Sequence, residues 1–187
     1  MRKSWEILGL LTVALLVVPV SRAADKEDDR RRLDKAEQWE LAAQNRDWAA
    51  STQQAQAEDM LANARELMKK EYAGDAERTR NMNTAGDMQR MAGDLYGASV
   101  LNLDMAIANR QKAVEEYGKL RDEERQRSAR SKGDVARKDA IQACLKAAEA
   151  YELAAESFAP ENGNDAGRIT AVVEKAASWR ENLAGRK

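Results

Sequence analysis

Between Ala36 and Ala64 alanine occupies every seventh residue: Ala36, Ala43, Ala50, Ala57 and Ala64. An α-helix turns once in about 3.6 residues, so a seven-residue repeat keeps one stripe against one neighbour with a slight supercoil. Large apolar residues on such a stripe give an ordinary coiled coil. Alanine instead removes bulk and lets two backbones approach the low end of the roughly 8–10 Å interaxial range. Two further ladders follow. Ala85, Ala92, Ser99, Ala106 and Ala113 form one; Ala136, Ala143, Ala150 and Ser157 form the other, with Ala140, Ala147 and Ala154 on the alternate position. Helix propensity alone favours alanine but requires no period of seven.

Burial of apolar surface stabilises by only about 25 cal/mol per Å², so an alanine seam has to be long or be helped by larger residues beside it. That help is present. Val100, Ile107 and Val114 stand one residue after members of the second ladder, and Tyr96, Leu103 and Tyr117 four after; Met60 and Leu67 stand three after Ala57 and Ala64. Phe occurs once and strand formers never cluster. The class is therefore all-α: an elongated antiparallel bundle of about four helices, two long and two shorter, with coiled-coil-like alanine seams.

The N-terminus has a different character. Arg2 and Lys3 give a basic start, Ile7 to Val20 an apolar run of 14 residues, and Ser21-Arg22-Ala23 a small-x-small ending. The run is shorter than the roughly 20 residues that span a bilayer. Residues 1–23 are accordingly expected to be a cleavable signal peptide, cut between Ala23 and Ala24. The expectation is thus an exported chain, periplasmic or extracellular, with no stable membrane span after cleavage. The leader takes three Lys/Arg and one Glu with it, leaving 28 basic against 31 acidic residues in a single domain of residues 24–187. So even a balance implies neither nucleic acid nor an anionic membrane as partner. Cys144 is the single cysteine, which excludes an internal disulfide and leaves an intermolecular one at Cys144 as the sharper expectation beside a half-buried apolar role.

Helices are expected at about 33–72, 76–130, 134–158 and 165–184. Residues 24–32 are densely charged and read as a frayed start to the first helix. Its second seven-spaced stripe, Leu41, Trp48, Ala55 and Ala62, predicts a second helical neighbour. Gly74-Asp75 reads as a turn with Asp75 as N-cap, Gly133-Asp134 as another, and Ala159 to Asn164 is the strongest loop signal, with Asp165 capping the last helix. Gly86 and Gly93, one heptad apart, with Gly97 following, suggest a backbone in close approach or a frayed helix start.

Ala92-Gly93-Asp94-Leu95-Tyr96, followed by Asp104-Met105-Ala106-Ile107 and Gln111-Lys112-Ala113, resembles a tetratricopeptide helix pair, and Ala148-Glu149-Ala150-Tyr151 is similar to the start of another. The resemblance covers about 30 residues and implies a helical-repeat binding module. No turn residues divide the stretch and the heptad from Ala85 to Ala113 is unbroken, so the residues themselves predict one long helix.

Histidine is absent, which removes the commonest general base, zinc ligand and pH switch. One cysteine builds no thiolate site. Carboxylates stand beside Arg or Lys nearly everywhere. Asn162-Gly163-Asn164-Asp165 has oxygen ligands at alternating spacing but is too short for a calcium loop and lacks a bidentate Glu, so a capping loop is expected. The expectation is a non-enzyme with no catalytic, cofactor or metal residues: a helical scaffold or adaptor of the cell envelope for protein partners, with homo-oligomers allowed. Alternatives are a periplasmic holdase chaperone offering Met82, Met88, Met91 and Met105 to unfolded clients, and the tetratricopeptide-like module.

Overall fold

The computed structural model describes residues 3–159 and 166–186, with side chains from residue 25 onward. Among the described residues four helices make up the fold: α1 (Lys3–Met68), α2 (Asp75–Lys119), α3 (Glu123–Ser157) and α4 (Ala166–Ala184). The side chains of the expected leader, with Ala23 and Ala24, lie outside the described residues, as do Asn162 to Asp165. Among the described residues no helix is long and apolar enough to cross a membrane.

Packing follows chain order: α1 lies along α2, α2 along α3, and α3 along α4. Side-chain pairs fix the directions. Gln54 meets Ser99 while Lys35 meets Glu116, so α1 and α2 are antiparallel. Ser157 meets Gln89 while Gln126 reaches Val114, so α2 and α3 are antiparallel too. α1 and α3, running parallel, are joined by Arg125–Glu37 at 2.9 Å, Lys132–Glu40 at 3.4 Å and Lys146–Glu58 at 2.7 Å. The three long helices form a bundle, and α4 lies against α2 and α3.

All three small-residue ladders are buried, from Ala36 through Ala64, Ala85 through Ala113 and Ala136 through Ser157. The bulk that fills the spaces between them comes mostly from α2. Its positions Tyr96, Leu103 and Tyr117 insert between alanines of the neighbouring helices, in layers with Ala57 and Ala147, with Ala50 and Ala140, and with Ala36 and Ala129. Both serines of the ladders carry a hydroxyl that needs a partner once buried. Gln54 Nε2 donates to Ser99 Oγ at 2.9 Å, and Ser157 Oγ donates to Gln89 Oε1 at 2.7 Å.

Several expected boundaries are corrected. α1 begins well before Leu33 and ends at Met68 rather than near Tyr72, whose hydroxyl folds back to donate to the Leu67 carbonyl at 2.6 Å. Asp75 is the first residue of α2, and Gly74 holds the capping position without a side-chain bond. The largest correction concerns the turn expected at Gly133. The chain turns instead at Leu120 to Asp122, so α2 stops at Lys119 and α3 starts at Glu123. Arg121 adopts a positive φ of 57° there. Its N–H donates to the Gly118 carbonyl at 3.1 Å and that of Asp122 to the Tyr117 carbonyl at 3.0 Å, closing the helix end. Asp122 then caps α3 by accepting from the Arg125 N–H. Gly133 lies inside α3. The tetratricopeptide-like pair is corrected likewise: residues 92–113 lie in one unbroken helix, with no turn to divide them.

The second α1 stripe does not meet a second helical neighbour either. Leu41, Trp48, Ala55 and Ala62 all face solvent. α2 and α3 both approach α1 on its ladder side, which leaves the opposite side uncovered.

Candidate interaction surfaces

Chemistry-bearing side chains come together where α2, α3 and α4 meet. Tyr151, almost wholly buried, donates its hydroxyl to Asp94 Oδ1 at 2.5 Å, and Lys175 Nζ donates to the same oxygen at 2.8 Å. Burial pushes the Tyr151 phenol up, and its bond to Asp94 adds to the rise. Burial also works against the charge on Asp94, but the hydrogen bonds from Lys175 and Tyr151 outweigh it and hold that carboxyl below its usual range. A phenol held protonated beside a carboxylate held charged is a poor proton-transfer pair near neutrality. The trio clasps three helices together.

Two more polar groups sit inside the bundle. Arg110, 5% exposed, pairs with Asp47 of α1 through both Nη atoms and donates to the Lys132 carbonyl of α3 at 3.2 Å. Glu116, also buried, accepts from Lys119 at 3.0 Å, Lys35 at 3.3 Å and Arg32 at 3.4 Å. The Lys119 bond, with Lys35 behind it, holds the Glu116 carboxyl below its ordinary range despite burial. Gln89 and Arg110 share the seven-spaced α2 position of Tyr96, Leu103 and Tyr117. The heptad marked that position as internal; the carboxylate for Arg110 stands 63 residues away and left no local sign. Among the described residues no buried side-chain nitrogen or oxygen lacks a partner, and no cluster of acidic or sulfur ligands is placed to hold a metal ion.

Cys144 is buried beneath α4, beside Leu183, with Asn182 Oδ1 at 3.9 Å from its Sγ. Burial pushes its thiol up. An intermolecular disulfide at Cys144 requires α4 to move first.

The outer surface carries apolar groups in two sets, on α1 and on α2, with Val135 of α3 and Val173 of α4 exposed singly. On α1, Trp48 is 73% exposed and Leu41 58%. On the same face as Trp48 the positions Gln38, Gln44, Asn45, Ser51, Thr52 and Ala55 are all uncharged, although 34% of the chain is Asp, Glu, Lys or Arg; the exposed Arg46 lies on the side toward α2, where it donates to Asn102 at 3.0 Å. On α2, Met91, Leu101 and Met105 are exposed at 43%, 58% and 45%. Met82 and Met88 of the same helix are only half-exposed. Met91 also lines a groove of about 700 Å³ between α1 and α2, whose walls include Met60, Leu95 and Asp94.

No known family model matches the chain, and comparisons with curated proteins and with solved structures return no match.

Proposed function

We propose that this is a non-enzymatic, exported helical scaffold of the cell envelope that binds a protein partner along the outer face of α1. One observation carries the reading: a charge-free outward strip, about 27 Å long for 18 residues, with Trp48 at its middle. Tryptophan is among the residue types most enriched at binding hot spots, and a strip without charge is desolvated at lower cost than a charged one. The long helices suit a rigid presenting arm, since the 45 residues of α2 alone extend about 67 Å. The basic start, short apolar run and small-x-small ending of the sequence support export.

The test compares the wild-type chain with a Leu41→Asp/Trp48→Asp variant in affinity capture from an envelope extract. A defined protein recovered by the wild type and lost with the variant supports the reading; equal recovery by both removes α1 as the binding face. The exposed Met91, Leu101 and Met105 favour a second reading, a holdase whose adaptable apolar residues shield unfolded clients. Failure to suppress aggregation of a reduced client at stoichiometric ratio disposes of it.

A further inference from the structure

α4 is held differently from the other three helices. α1, α2 and α3 interlock through ladders of fully buried residues, whereas α4 buries only Val172, Ala176 and Leu183, with Ile169 and Trp179 half-covered. Its remaining attachment is mainly ionic, and Arg168 and Lys175 also stand over the Phe158 and Tyr151 rings, at 3.9 and 5.2 Å from the ring centres. All four basic residues between 166 and 186 pair across to a neighbouring helix. Arg168 meets Asp87 at 2.6 Å, Lys175 meets Asp94 at 2.8 Å, and Arg186 grips both oxygens of Asp104 at 2.6 and 2.7 Å. These three partners are on α2, at a near-constant separation of 81 or 82 residues, so α4 runs parallel to α2 in fixed register. Arg180 makes the fourth pair, bidentate to Glu152 of α3 at 3.0 and 2.9 Å. Every one of these pairs is partly open to water, where salt screens it.

Beneath α4 lies a surface shaped for it. A Cβ on Gly97 would fall 2.6 Å from Trp179 Cζ2, so the absent side chain leaves the space that this indole fills. Cys144 lies under Leu183.

We propose that α4 is an electrostatically latched strap, which ionic strength releases from α2 and α3 to bare the Gly97 hollow and Cys144 while the three long helices stay folded. Local opening costs least where apolar burial is shallow and the attachments are solvent-exposed, and α4 meets both conditions. This inference does not depend on the α1 binding face.

The experiment measures the rate at which a thiol reagent modifies Cys144 in the full chain under native conditions. The rate is expected to rise about tenfold between low salt and about 0.5 M NaCl, the combined effect of several exposed ion pairs. An Asp87→Asn/Asp94→Asn/Asp104→Asn variant should label about tenfold faster at low salt and lose most of the salt dependence. Glu58→Gln, which removes the α1–α3 pair with Lys146, should leave the rate unchanged. Hydrogen exchange in the triple variant should quicken in residues 168–184 and stay slow in α1 to α3. Labelling that is indifferent to salt and to the three aspartates overturns the latch. So does equal acceleration by Glu58→Gln, or exchange that quickens in all four helices together, since the opening is then global.

Discussion

Replacing glycine by alanine should change stability in opposite directions at two helix-interior positions, Gly93 and Gly133. Alanine recovers about 1 kcal/mol of helix propensity at either site. At 133 the new methyl would meet nothing nearer than Arg110 Cβ and Cδ at 4.0 Å, an ordinary contact. Gly133→Ala should therefore stabilise by about 0.5–1 kcal/mol, which raises Tm by about 1–4 °C in a chain this long. At 93 the methyl would fall 2.9 Å from Cε2 and Cζ of Tyr151. That ring has no easy retreat, being almost fully buried, tied at its hydroxyl to Asp94 and covered by Lys175, whose ammonium stands 5.2 Å from the ring centre. Overpacking of this kind costs about 1–3 kcal/mol, so after the propensity gain Gly93→Ala should lose about 1 kcal/mol. Urea unfolding followed by helical circular dichroism measures both, and equal slopes for the two variants and wild type keep the comparison valid. If Gly93→Ala stabilises as Gly133→Ala does, the close approach of α3 to α2 at Tyr151 is refuted; if both destabilise, the open space beside Gly133 is.

The turn at Leu120 to Asp122 puts arginine in a left-handed conformation that glycine adopts freely, so Arg121→Gly should stabilise by about 1 kcal/mol; a loss of stability in the same urea assay counts against this turn. Asp47→Ala strands the buried Arg110 guanidinium and should cost about 2 kcal/mol, less than a fully buried pair because Asp47 is partly exposed, and the double variant with Arg110→Met should recover most of the loss; additive losses would show that the two residues do not act as a pair. Glu116 titrates below its ordinary 4.5 in the folded chain, so the unfolded chain binds its proton more readily and acidification favours unfolding. The stability it contributes is present above pH 4.5 and is lost as pH falls through the lower folded value. Glu116→Gln should flatten the decline in stability that sets in as pH falls below its ordinary 4.5, with Asp94 keeping part of the slope; an unchanged acid limb contradicts the assignment.

Where the seven-residue period fell on small residues, it marked the core. The seven-residue spacing of Ala36 to Ala64, Ala85 to Ala113 and Ala136 to Ser157 falls on buried positions because helix geometry converts that period into one face. α4 was equally legible, since Ile169, Val172, Ala176, Trp179 and Leu183 recur at helical spacing and the helix covers residues 166–184. The turns were not. Gly133 resembles a break, yet a glycine costs a helix interior only about 1 kcal/mol, which packing on both sides overrides. Arg121 gives no local warning because the αL conformation it adopts is imposed by closing α2 against α3. Of the candidate surfaces, the apolar character of Leu41 and Trp48 was visible in the sequence, but it suggested a covered face.

By itself, then, the sequence determined that the chain is helical and that the small-residue stripe of each long helix turns inward, because a heptad is a property of one helix and requires no knowledge of its neighbours. Only the tertiary structure decided which faces remain without a neighbour, that Arg110 finds Asp47, and that α4 is fastened to α2 and α3 by four ion pairs. Those outcomes depend on residues from 28 to 82 positions apart, which are brought together by the angle at which one rod settles on the next.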